Sequence, residues 1–180
     1  MKNTKLSDAE LTAYSREHLL YELQLFQWTA SELRPEKNII GVLRSVLIES
    51  FVIHLRNLID FFFTPTRDDD DVVATDFCHG WNEILSDTLK EAKKRANKEL
   101  THLTLGRKSD SDQSKPWKVT ELVQEVHGVA KRFAAKASPT KLSPEVPKFL
   151  SLSLIVAIAV VASTAYSNTT AIVVTSPSKP

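Results

Sequence analysis

Arg95 and His102 stand seven residues apart in the stretch RANKELTHLT (Arg95–Thr104). If that stretch is helical, two turns separate them and they project within about 20° of one another. A histidine moves protons near neutral pH, and an arginine holds a phosphate and stabilises developing charge. Together, and without a metal, they suffice for transesterification of RNA, where the 2′-hydroxyl is the internal nucleophile. Glu91 and Glu99 flank the stripe, and Asn97 lies on the other shoulder of the apolar face. The bland alternative is the polar edge of a packed helix, carrying a hydrogen-bonded structural histidine. A second polar set lies upstream. Glu49, Arg56 and Asp60 fall within about 40° on a helical wheel, with Asn57 at the edge. Arg56 either offers its planar fork to a phosphate or carboxylate or pairs with Asp60 one turn on and sets helix register.

Four helices are expected to position these residues. The first opens at the capping box SDAE (Ser7–Glu10), repeats Leu11, Tyr14, His18, Leu25 and Trp28 at helical spacing, and stops at Pro35. The second runs from about Asn38 to Phe63, apolar around nearly its whole circumference, and should be the central buried helix. Residues 64–81 read as an acidic loop. The third helix spans about Asn82–Leu105 and is closed by Gly106, with Leu85, Leu89, Ala92, Ala96, Leu100 and Leu103 inward. A polar linker leads to the fourth, about Val119–Ala137, with Leu122, Val126, Val129, Ala130 and Phe133 inward. Pro139, Pro144 and Pro147 then read as a hinge. The expectation is an all-α chain: a four-helix up-down bundle over residues 1–148, with an appended apolar segment over 149–180.

That segment carries no charge from Phe149 to Ser178. As a helix, Phe149–Tyr166 would be about 27 Å long, just short of a ~30 Å hydrocarbon core. It reads either as a C-terminal membrane anchor within residues 149–175 or as an extra helix on the bundle.

Composition narrows the rest. The chain has 180 residues, four glycines and a net charge of +1. Residues 64–80 hold five acids and one base, whereas residues 81–148 hold fourteen bases against nine acids. That local positive excess suits phosphate or simply solvates a helix face. The lone Cys78 excludes an internal disulfide and fits a reducing, cytoplasmic setting. MKNTKLSDAEL holds no apolar run, so no secretory leader is expected. The aspartates Asp68–Asp71 lack the glycine and terminal glutamate of a calcium loop. Cys78-His79 lacks a second pair to complete a zinc site. No phosphate-cradling glycine loop or nucleophile elbow occurs. No metal and no cofactor are expected. Trp117 and Lys118, beside Gly106-Arg107-Lys108, are the aromatic and basic residues nearest to a nucleic-acid signal.

The segments ESFVIHLRNLIDFF (Glu49–Phe62) and RANKELTHLT, with YSREHLLYEL (Tyr14–Leu23) upstream, resemble a family of small bacterial helical proteins. Its members carry an RNLIDFF helix, a DDV…DF loop and an NKE…HLT helix. The likeness covers about residues 6–148 and implies no assigned activity. More distantly, Arg95 followed by His102 is similar to the R-x(4–6)-H motif of HEPN domains, helical bundles, often dimeric, found in RNase toxins. This chain departs from that motif at Ala96, where a polar residue is usual; its amide comes one later, at Asn97. The resemblance implies RNA as partner, a homodimer, and Arg95 and His102 as the catalytic pair; beside it, Asn97 and the helix-two stripe of Arg56, Asn57 and Asp60 are read as binding residues that would orient them. The contrasting reading is a non-catalytic helical interaction module, tethered to a membrane through residues 149–175.

Overall fold

The structure, a computed structural model, describes residues 6–64, 71–99 and 116–152. Among these the chain is all-helical, with no strand. Helix α1 (Asp8–Tyr14) starts at Ser7, whose hydroxyl accepts from the Glu10 amide while the Glu10 carboxylate accepts from the Ser7 amide. A π turn (Ser15–Leu19) joins it to α2 (Leu20–Glu32). Helix α3 spans Gly41–Phe63, α4 is the single turn Ala74–Phe77, α5 spans Asp87–Glu99 and α6 spans Val119–Lys136. Residues 145–152 are also helical.

The π turn changes which face of the first helical stretch is buried. A π turn holds one residue more than an α turn, so it rotates α2 backwards relative to α1. Leu20, Leu23, Phe26 and Ala30 thereby fall in line with Leu11 and enter the core. The expected face is displaced: Tyr14 is half-buried, His18 is exposed and Trp28 is more than half exposed. The turn also buries Ser15, whose hydroxyl donates to the Thr12 carbonyl at 2.9 Å and accepts from the Ser143 amide at 2.9 Å. That second bond ties the first helical stretch to the last.

Three boundaries differ from expectation, each for a local reason. Helix α3 begins at Gly41 rather than Asn38, because Asn38 takes the left-handed φ of 49° after a short 3₁₀ turn. Gly41 itself has φ +65°, a value glycine adopts without steric cost. Helix α5 begins at Asp87 because the Ser86 hydroxyl accepts from the Leu89 amide at 3.1 Å, an N-cap. The prolines after α6 start a helix as well as breaking one. Ser143 caps residues 145–152, its hydroxyl accepting from the Glu145 amide at 3.3 Å, with Pro144 leading in.

The core is centred on the C-terminal half of α3. Phe61 and Phe62 pack their rings edge-on against Phe133 of α6 at 5.4 and 5.5 Å, and Phe77 and Trp81 meet the same ring at 5.8 and 5.5 Å. The Trp81 indole N–H donates to the Phe62 carbonyl at 2.7 Å. That carbonyl is one of the helix-end acceptors left without an intrahelical donor. The inward residues expected of the fourth helix, Leu122, Val126, Val129, Ala130 and Phe133, are all buried. Of the third helix, Leu89, Ala92 and Ala96 are buried and Leu85 is partly so. Leu100 and Leu103 lie outside the described residues.

Expectation fails for the N-terminal turns of α3. Gly41 through Val46 are all exposed, Val42, Leu43 and Val46 included. Phe26 stacks on Phe51 and Glu22 reaches His54, so α2 runs antiparallel to α3 and covers one side of it. The contacts of α3 with Lys93 of α5 and Phe133 of α6 fall on its C-terminal half.

No helix among the described residues is long and apolar enough to cross a membrane. Residues 153–180, most of the expected anchor, lie outside the described residues.

Candidate functional site

Helix α5 sends its bases in three directions. Lys90, Lys94 and Lys98 are exposed and one turn apart. Lys90 pairs with Asp87 at 3.0 Å. Lys93 turns toward α3 and pairs with Asp60 at 2.5 Å. Arg95 lies on the side facing the start of α6, its guanidinium 4.2 Å from the centre of the Trp117 ring. A guanidinium over an indole is held by the negative face of the ring. Ala96 packs into the core, so no polar side chain follows the arginine, and the amide one residue later, Asn97, is exposed. His102 lies outside the described residues.

Arg56, Asn57 and Asp60 divide between two neighbours. Arg56 meets Asp60 one turn on at 3.7 Å, both partly exposed, and Lys93 completes the group from α5. An ion pair this exposed contributes about 0–1 kcal/mol. Asn57 instead faces α2, its amide donating to the Glu22 carboxylate at 3.2 Å. The same carboxylate oxygen accepts from His54 Nδ1 at 2.7 Å. Because a carboxylate only accepts, Nδ1 is the donor in this contact. The Tyr21 ring meets His54 edge-on at 5.8 Å. Tyr14 belongs to the same neighbourhood: burial first, then the charges of Glu22 and Asp71, push its phenol above the ordinary range.

The Glu22–His54–Asn57 group was missed in the sequence. His54 and Asn57 are three apart on α3, a visible pairing. Glu22 lies 32 residues from His54, and only the antiparallel register of α2 on α3 brings it there. The π turn sets which α2 residues face α3, and no residue type announces that turn.

Other polar groups are accounted for by packing. His127 Nε2 donates to the Leu150 carbonyl at 3.2 Å; burial first and Lys131 second hold the imidazole below its ordinary value. Arg132 forks onto Glu83 at 3.0 and 2.8 Å, which lowers the glutamate and raises the arginine. Arg132 also lines an open cleft of about 210 Å³, together with Ser86, which is hydrogen-bonded to Glu125. Cys78 is buried, its thiol donating to the Lys136 carbonyl at 3.4 Å. Among the described residues no three His, Cys, Asp or Glu side chains gather as metal ligands.

No family model, curated protein or solved structure matches the chain.

Proposed function

We propose that the chain is an RNA-binding protein of the metal-independent, HEPN-like kind, a four-helix up-down bundle with the apolar C-terminal segment appended, and that α5 is the element that meets RNA. The observation that carries this reading is the Arg95–Trp117 stack. A guanidinium held over an indole offers a flat, charged surface on which a base stacks while its N–H groups reach a phosphate. Lys90, Lys94 and Lys98 repeat positive charge along the exposed side of the same helix, each about 6 Å from the next. In this reading Arg95 holds phosphate and His102 acts as acid and base toward the 2′-hydroxyl. Asn97 and the Arg56–Asn57–Asp60 edge bind and orient the strand.

The test is binding of a labelled short single-stranded RNA, followed by anisotropy, beside a cleavage assay. Arg95→Ala and Trp117→Ala each weaken binding about tenfold, within the range for one lost stacking contact. Lys94→Ala weakens it less, equally for all sequences, and lowers the salt slope by about one. His102→Ala abolishes cleavage and leaves binding. Absence of binding at low salt, or unchanged binding by folded Trp117→Ala, overturns the proposal. Binding without cleavage confines it to recognition.

A further inference from the structure

Glu125 and Arg132 stand two turns apart on one face of α6, and Gly128 lies between them. Each charged group is engaged on one side only. The fork on Glu83 uses Nε and Nη2 of Arg132. Among the described residues Nη1 has no acceptor, and it lies 3.5 Å from where a Cβ at position 128 would stand. Glu125 accepts the Ser86 hydroxyl on Oε2, and that hydroxyl in turn accepts from the Leu89 amide. Among the described residues Oε1 of Glu125 has no donor. Both side chains and Gly128 line the cleft of about 210 Å³, with Phe63, Leu89 and Val129 as apolar neighbours. Leu89 and Val129 are buried and Phe63 partly so. Ile84 lines the same cleft and is 87% exposed, so a molecule in the cleft would cover apolar surface that the chain leaves in water.

We propose that this cleft binds a free α-amino acid with an apolar side chain. The inference is independent of the RNA reading. The polar groups select the head of the ligand. Its carboxylate accepts from Arg132 Nη1 and its ammonium donates to Glu125 Oε1, both charge-assisted bonds. A plain anion would meet the Glu125 carboxylate, and a plain amine would set its charge against the guanidinium. An uncharged apolar molecule would take both groups out of water without giving either a partner. The apolar residues select the tail, which lies against Phe63, Leu89 and Val129 and covers Ile84. Volume sets the size. About 210 Å³ equals the liquid volume of about seven waters. It falls below the roughly 300–1,000 Å³ of sites for drug-sized ligands, so it suits one amino acid rather than a peptide or a nucleotide. Glu83 and Ser86 already hold the two recognition groups, so binding orders little that is free. Gly128 keeps open the gap between them.

The experiment is calorimetric titration of the full chain with L-leucine, beside isocaproate, which lacks the ammonium, and isoamylamine, which lacks the carboxylate. Leucine is expected to bind saturably, and each analogue about tenfold or more weakly, the loss of one charged hydrogen-bond partner. Glu125→Gln keeps an acceptor for Ser86; it should weaken leucine about tenfold or more and leave isocaproate no weaker than before. Gly128→Leu fills the cleft and should abolish binding. A Cβ there makes only an ordinary contact with Arg132, so the circular dichroism of this variant is expected to match the parent. If Gly128→Leu does not fold, Glu125→Gln with its isocaproate control decides alone. Absence of saturable leucine binding overturns the proposal. So does isoamylamine binding as tightly as leucine, leucine binding undiminished by Glu125→Gln, or binding that persists in folded Gly128→Leu.

Discussion

Between Phe51 and Phe62, α3 buries eight side chains, whereas from Gly41 to Val46 every residue of the same helix is exposed. Both stretches are rich in aliphatic residues, and hydropathy does not separate them. Neighbours do: the Phe133 ring of α6 and Lys93 of α5 meet α3 in its later half. Apolar content states what a surface prefers to touch. Whether the same chain supplies the contact depends on where the other helices end.

The largest effect that sharpens this contrast is expected at Phe133, the ring met by Phe61, Phe62, Phe77 and Trp81. Phe133→Ala should lower unfolding free energy by about 3–5 kcal/mol, read from denaturant midpoints. Next comes the helix end that the ring cluster covers. Trp81→Phe keeps a ring but leaves the Phe62 carbonyl without its donor, a loss of about 1–3 kcal/mol. A carbonyl rescued by water would show as no change. The acid branch of stability is smaller. The folded state holds the His127 imidazole below its ordinary value, so it binds a proton less readily than the unfolded chain. The corresponding stability is complete above about pH 6.5 and declines as pH falls through that value toward the folded one. The urea midpoint should therefore drop between pH 7.5 and 5.5, and His127→Gln should flatten that part of the slope. The smallest effect belongs to the other half of α3. Leu43→Ser in dilute solution should change stability by no more than about 0.5 kcal/mol.

Helix content was legible because its signals are local. The SDAE cap, the stop at Pro35 and the inward spacing of Leu122, Val126, Val129, Ala130 and Phe133 each act within a few turns. The Arg56–Asp60 pair was legible for the same reason. Three features were not. The π turn at Ser15–Leu19 reassigns a whole face while leaving residue types unchanged. Glu22 joins His54 and Asn57 only through the register of two helices. Lys93, rather than a residue of the Arg95 stripe, bridges to Asp60, a choice set by the rotation of α5 about its axis. Arg95 was expected beside His102; its contact with Trp117 joins two residues that the sequence had marked separately.

One measurement bears most directly on the two halves of α3. Glutamate is placed at Val46 and, in a separate chain, at Leu55, and thermal unfolding is followed in dilute solution where association is negligible. Val46→Glu should melt cooperatively within a few degrees of the parent, and Leu55→Glu, at a position with no exposure, should have no cooperative transition. Loss of the transition in both would contradict the account, because it would mean that the chain itself covers Val46.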